Sequence, residues 1–420
     1  MTPTTQPPKR ALLLIHAHTY RAQPFLQAAQ RAGIQAVMGV DMDKALADYW
    51  DYPLGLDFND LDAATGAIVA YAQERPLDAI IAVDDKGSLL AAQASQALGL
   101  AHNAPAAALA ARDKFTMRTA LAQAGVLCPN FQRFTTDQDR FAIARQVEYP
   151  CVVKPLTLNG SRGVIRANHA GEFANAVQWV ESILTGNQPD AGPVPYLVEE
   201  YIPGVEVAVE GILDQGKLTV LALFDKPDPL EGPFFEETIY VTPSRLPQET
   251  QDAIARATAA AAAALGLQVG PVHAELRIND VGPWIVEVAG RSIGGLCSKT
   301  LQFGVDAPLE ELILRQAVGL PMDSWQRVGE ARGVMMIPIP EAGILKKVEG
   351  VENAEAVPGV TEIQITAPLN YSITPLPAGD AYLGFIFAAG QTPVSVESAL
   401  RAAHARLRFT IVPEFVLGFG

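Results

Sequence analysis

The segment HAELRINDVGPWIVEVAGR, residues 273–291, sets Glu275, Glu287 and Arg291 around a tight turn. A turn falls at Asn279, Asp280, Val281 and Gly282, so the apolar runs on either side predict a hairpin. Antiparallel pairing brings Glu275 and Glu287 close together, where like charges repel. A divalent cation removes the repulsion, and Mg²⁺ suits one or two carboxylates with waters and phosphate oxygens. Arg291 follows within a turn of chain, and its permanent charge and planar fork suit an acyl phosphate or an oxyanion. The same pattern also fits two glutamates on a solvated strand face and an ordinary loop arginine.

Three further segments carry candidate chemistry. Lys114 lies in RDKFTMR and Lys154 in the apolar strand CVVKPL. A lysine in such a strand needs a carboxylate partner or a route to water, whereas Lys114 could simply be solvated. NGSRGV, residues 159–164, is a turn whose N–H groups could fold over phosphates, or a mere loop without P-loop spacing. In LVEEYIPGVEVAVEG, Glu199 and Tyr201 alternate with Glu200 and Ile202 before Gly204 turns the chain to Glu206. That reads as a hinge for a flat heterocycle with a second carboxylate for a sugar hydroxyl, or as an amphipathic strand. The stretch DKPDPLEGPFFEETIYVTP, residues 225–243, sets Glu231, Glu236 and Glu237 among Phe234, Phe235 and Tyr240. It predicts an ordered loop near a site, in which Glu236 or Glu237 recognises an ammonium group, unless the acids are solvated.

The elements that must position these residues follow from periodicity. Residues 1–105 alternate short apolar runs with helix-period segments, the pattern of parallel strands and crossover helices. A helix is expected over AAALAARDKFTMRTALAQAG, then strands, a strand pair turning at Asp214-Gln215-Gly216, and an alanine-rich helix to Leu265. Residues 326–420 mix strands and helices and predict a separate small α+β lobe. The boundaries are therefore 1–105, 106–325 and 326–420. A net charge of −15 over 420 residues weighs against a nucleic-acid partner. Cys128, Cys151 and Cys297 are too scattered for a zinc site and suit a reducing compartment. No run approaches the ~20 apolar residues of a membrane span, and the first apolar run is too short for a signal peptide, so the cytoplasm is expected.

In this order and spacing the segments resemble the ATP-grasp superfamily, the fold of carboxylate–amine ligases. The resemblance implies a mixed α/β and α+β architecture: an N-terminal parallel α/β domain, a central nucleotide-binding grasp domain with a lid, and a small C-terminal α+β lobe. Carried over residue by residue, Lys114 and Lys154 match the phosphate-contacting lysines, and Ser161, Arg162, Gly163 and Val164 the mobile lid. Glu199, Tyr201 and Ile202 match the adenine hinge, Glu206 the ribose contact, Glu275 and Glu287 the magnesium ligands, and Arg291 the catalytic arginine. The family usually reads Glu-x-Asn-x-Arg where this chain has Ala289, so one oxygen ligand is missing and the number of metals is open. GVMMIPIPEAGILKKVEGVENAEAVPGV and AYLGFIFAAG are similar to the C-terminal lobe of bacterial L-amino acid ligases.

The resemblance implies an ATP-dependent ligase that joins a carboxylate, expected to be an amino acid's, to an amine through an acyl phosphate, releasing ADP and phosphate. ATP and Mg²⁺ are the implied cofactors, with Mn²⁺ as a substitute. The partners are small molecules, without nucleic acid or membrane; a homodimer is allowed but not required. A carboxylase of the biotin-dependent kind and a non-catalytic nucleotide-binding regulator are the rival readings.

Overall fold

The computed structural model describes residues 7–17, 19–186, 188, 192–322 and 324–414. Near the N-terminus, β1 (Arg10–His16), β2 (Gln35–Asp41), β3 (Leu54–Leu56) and β4 (Ala79–Ala82) form a parallel sheet in the order β3-β2-β1-β4. Both faces of β1 are covered, so its run Ala11–Ile15 is apolar throughout. Leu13 and Ile15 pack on one side with the helix Leu309–Ala317, and Leu12 and Leu14 on the other with Ile68 and Leu90. Each such buried side chain contributes about 1.5–3 kcal/mol over an exposed one.

The single helix expected beyond residue 105 is two, Pro105–Ala110 and Lys114–Gln123. Alanine-rich sequence on both sides hides the break, but Asp113 causes it. Its carboxylate accepts the Thr116 N–H at 2.8 Å and the Thr116 hydroxyl at 2.7 Å, starting a new helix there. Lys114 consequently stands at the first helical position. Next comes a small antiparallel sheet, β5-β8-β6-β7, made of β5 (Phe131–Thr135), β6 (Cys151–Pro155), β7 (Ile165–Ala167) and β8 (Pro195–Glu200). The helix Ala170–Thr185 buries Phe173, Val177 and Val180 against it.

The central sheet begins with β9 (Val205–Asp214), β10 (Lys217–Lys226), β11 (Ile239–Thr242), β12 (Gly270–Asn279) and β13 (Gly282–Ala289). A short ribbon of β14 (Gln302–Phe303) and β15 (Ala307–Pro308) precedes the C-terminal strands. These are β16 (Ala331–Ile337), β17 (Gly343–Glu349), β18 (Val360–Ile365), β19 (Ser372–Ile373), β20 (Gly384–Gly390) and β21 (Arg408–Val412).

The C-terminal lobe is joined to the central sheet rather than built wholly on a sheet of its own. β16, β20 and β18 continue the central sheet, whose eight strands run β13-β12-β9-β10-β11-β16-β20-β18. The physical reason is the free edge of β11, which β16 covers from Ile239 opposite Met335 to Thr242 opposite Arg332. Gly333 permits the close approach: a Cβ there would lie 2.8 Å from Val396 Cγ1 and 2.9 Å from the Tyr240 carbonyl oxygen. Only β19, β17 and β21 form a second small sheet. Among the described residues no helix is long and apolar enough to cross a membrane.

Asp113→Ala is expected to cost about 1 kcal/mol of stability by removing the cap, whereas Asp113→Asn, which keeps an acceptor oxygen, should retain most of it. Denaturant midpoints of the two variants check this; equal midpoints would refute a capping role.

Candidate active site

A cavity of about 1150 Å³ opens between the small antiparallel sheet, the central sheet and the loops of the N- and C-terminal parts. Lys114, Lys154, Ser161, Arg162, Val164, Glu199, Tyr201, Ile202, Glu206, Glu237, Glu275, Glu287 and Arg291 all line it. Gly163 and Glu236 do not. Gly163 serves the turn instead: its φ is +72°, and a Cβ would meet Pro155 Cγ at 2.8 Å.

At one end lies a buried ion triad. Lys154 Nζ is 2.6 Å from Glu199 Oε2, and Arg118 Nε is 2.7 Å from Glu199 Oε1. Arg118 also donates from Nη2 to the Val286 carbonyl at 2.5 Å. Burial pushes the Lys154 ammonium down to about 8 against the pull of Glu199. Burial would raise the Glu199 carboxyl, but Arg118 and Lys154 outweigh it and hold it below the usual range. The expected hinge glutamate is thus already engaged through its side chain. Sequence reasoning missed Arg118, although it lies four residues beyond Lys114 on the same helix. Lys114 donates to the Leu158 carbonyl at 2.8 Å and lies 3.6 Å from Glu287 Oε2.

The hairpin register places Glu275 directly opposite Glu287 and His273 opposite Ala289. Two carboxylates facing each other in a cavity form a hard oxygen donor pair of the kind Mg²⁺ takes, while Ala289 adds only a methyl group. Lys226, the last residue of β10, escaped sequence reasoning because it reads as the start of the proline-rich loop. Its Nζ lies 2.8 Å from Glu206, 2.6 Å from Glu237 and 3.1 Å from Glu275. Burial works against its charge, yet the three glutamates hold its pKa well above the ordinary lysine range. Burial would raise Glu275 as well, but Lys226 and His273 keep it well below the usual carboxylate range. Glu237 is pushed up to about 7, first by burial and then by Glu275. His273, also missed, lies with Nδ1 3.2 Å from the fully buried Glu210 and Nε2 3.5 Å from Glu275. Burial opposes its charge, and the two glutamates raise it to about 9.

The expected ribose contact, Glu206, is held by Lys226 and, at 2.9 Å, by Arg277. Arg277 donates to the Ile202 carbonyl at 2.9 Å and lies 5.1 Å from the Tyr201 ring centre, which Arg166 approaches to 4.0 Å. Tyr201 stacks with Phe235 at 6.4 Å, so the loop 225–243 meets the hinge through its aromatic side. Glu236 is half-buried, with its carboxyl raised by burial.

The turn 159–164 is docked on both sides. The Gly163 N–H donates to the Pro377 carbonyl and Arg162 Nε to the Ala378 carbonyl, each at 2.8 Å. Arg162 also lies 3.6 Å from Asp380. The C-terminal segment around Tyr371–Tyr382 therefore contributes to the cavity wall, which no motif announced. Arg291 donates from Nε to Asp85 at 2.6 Å and from Nη1 to the Ser292 carbonyl at 3.0 Å. Burial works against the Arg291 charge, and Asp85 more than offsets it, holding the guanidinium above its ordinary value.

Family models match along most of the chain: an ATP-grasp N-terminal domain over residues 26–102, an ATP-grasp domain over 147–300 and an L-amino acid ligase C-terminal domain over 335–412. An alanine–anticapsin ligase of Bacillus subtilis is 29% identical over 330 residues, covering 68% of this chain and 68% of the relative. The crystal structure of an L-amino acid ligase from Bacillus licheniformis superposes with a TM-score of 0.78 at 25% identity, over 97% of this chain and 100% of that one. The biotin carboxylase domain of the Hydrogenobacter thermophilus 2-oxoglutarate carboxylase, solved with MgADP, shares the fold at a TM-score of 0.65 and 17% identity, over 97% and 91%. The chain belongs to the ATP-grasp carboxylate–amine ligases and carries the C-terminal domain of the L-amino acid ligases.

Proposed function

We propose that this enzyme joins the carboxylate of one amino acid to the amine of another, with ATP as the energy source, and releases the dipeptide, ADP and phosphate. The observation that carries the reading is the convergence of Lys114, Lys154, Glu275, Glu287 and Arg291 on one cavity. A carboxylate oxygen of the first substrate attacks the γ-phosphorus and ADP leaves. The amine nitrogen of the second substrate then attacks the acyl carbon, phosphate departs and the nitrogen gives up a proton. Phosphoryl transfer needs positioning and neutralisation of charge rather than covalent help. Lys114 and Lys154 take the phosphate oxygens, and Arg291 takes the charge that develops on the transferred group. Glu275 and Glu287 would hold a divalent cation, Mg²⁺ or in its place Mn²⁺, which neutralises phosphate charge when bound.

In this reading Tyr201 and Ile202 flank the adenine, Glu206 faces the ribose, and residues 159–164, with Ser161 to Val164 at their centre, shut out water. Glu237, which lines the cavity, is the ammonium anchor of the expected pair, and Glu236 supports the loop from outside it. Segment 1–105 closes one side of the site, 106–325 binds nucleotide and metal, and 326–420 completes the substrate end. Three free cysteines suit a cytoplasmic enzyme.

ADP and phosphate release measured against amino acids singly and in pairs, with the product identified by mass, tests the reading. Stoichiometric AMP would overturn the mechanism, and turnover that requires bicarbonate and no amine would favour a carboxylase.

Lys154→Ala and Glu287→Gln are each expected to lower turnover on the order of 10² to 10³ with the fold retained. Near-parental kcat in a folded variant would remove that residue from its role. The pH dependence carries a second expectation. Phosphate contact requires the Lys154 ammonium, and burial lowers its pKa to about 8 in the free enzyme, so kcat/KM for ATP should fall as pH rises through that value. The fall should be absent in Lys154→Arg, whose guanidinium stays charged. A limb that is unchanged in that variant belongs to another group.

A further inference from the structure

Asp85 lies outside every motif that marked the site, yet one of its oxygens joins two parts of it. It opens a single turn, Asp85–Gly87, just beyond β4, at the carboxyl end of the N-terminal parallel sheet. Its Oδ2 accepts Arg291 Nε at 2.6 Å and Asn159 Nδ2 at 2.8 Å. Arg291 follows the hairpin that carries Glu275 and Glu287, and Asn159 begins the turn that closes over the cavity. Arg291 and Asp85 are largely buried, with side chains 12% and 15% exposed, whereas Asn159 is exposed and has little packing to fix it. At its far side the same turn is held by the Pro377 and Ala378 carbonyls.

The two bonds share one acceptor atom, so the placement of the turn and the orientation of the guanidinium are linked through it. We infer that Asp85 is a positioning residue that couples closure of the 159–164 turn to the alignment of Arg291, so that the acyl phosphate forms only under a shut lid. The inference rests on the ligase reading above. Its chemical meaning lies in the competing reaction: water attacks the acyl carbon, the bond to the phosphate oxygen breaks, and free carboxylate and phosphate result. ATP is then consumed without a dipeptide. An Arg291 aligned under an open turn would promote that waste.

The ratio of ADP released to dipeptide formed reads the coupling, and a purely structural ion pair would not move it. With the best amino acid pair, the parent is expected to form about one dipeptide per ADP. Asn159→Ala, a change at an exposed position, should raise ADP per dipeptide roughly two- to ten-fold, the size of a coupling through one shared hydrogen-bond acceptor. Asp85→Asn should raise the ratio as well and also lower kcat, because Arg291 loses its charged partner, and Asp85→Glu should recover part of the kcat. The double variant Asp85→Asn/Asn159→Ala should have the ratio of Asp85→Asn alone, since both changes break the same link. Ratios that stay at the parental value in both single variants, or effects that multiply in the double variant, would overturn the inference while leaving the ligase reading intact. A parent that releases ADP but forms no amide with any pair would remove both.

Discussion

Across β10, β9 and β12 one row of side chains reads Lys226, Glu206, Arg277, alternating in sign from strand to strand. Each of these charges is buried, and an isolated buried ion costs several kcal/mol even after relaxation, so none could stay charged there alone. Together they form ion pairs at 2.8 and 2.9 Å, and Lys226 gathers Glu237 and Glu275 as well. The rest of the cavity depends on this row. It fixes the register of the strands that carry Glu275, holds Glu237 on the cavity wall and, through Arg277, anchors the Ile202 carbonyl beside the hinge. Removing Lys226 takes the cation from Glu237 and leaves Glu206 and Glu275 with one partner each, Arg277 and His273, which costs more than the net value of the intact pairs.

The acidic face of the site is tolerable for the same reason. Glu275 has an ammonium and an imidazole beside it, while Glu287, more exposed, has Lys114 at 3.6 Å. Their two carboxylates can therefore face each other before any ion arrives. The chain has prepared an anionic pair, stabilised from behind and open towards the cavity, which is what a hard divalent cation bound to a nucleotide requires.

What the sequence disclosed, it disclosed through local rules. The turn residues Asn279 to Gly282 marked the hairpin, but the register they set would pair Glu275 with Val286, and it is a bulge between Leu276 and Glu275 that carries Glu287 opposite Glu275. The apolar run of β1 marked a parallel strand covered on both faces. What it hid depends on partners distant along the chain. Arg118 finds Glu199 81 residues away, Arg291 finds Asp85 at a separation of 206, and Arg162 finds the Ala378 carbonyl at 216. No periodicity encodes such pairs. Lys226 was obscured differently, by the prolines that follow it, and the break at Asp113 by strong helix formers on both sides.

The continuous sheet from β13 to β18 has a mechanical meaning. Strand pairing runs from the hairpin of Glu275 and Glu287 through β11 and β16 to the C-terminal strands, narrowing to the single pair Asp225–Val241 between β10 and β11, so this part of the molecule is one plate with its thinnest seam there. The small sheet β5-β8-β6-β7 stands outside that plate and meets it through the Ile165–Phe234 bridge and side-chain bonds such as Arg277 to the Ile202 carbonyl. The same continuity limits how freely such enzymes can trade their C-terminal lobes in evolution. A transplanted lobe must bring a first strand with a small residue where Gly333 lies, or the edge of β11 goes unpaired and the plate ends at the cavity floor.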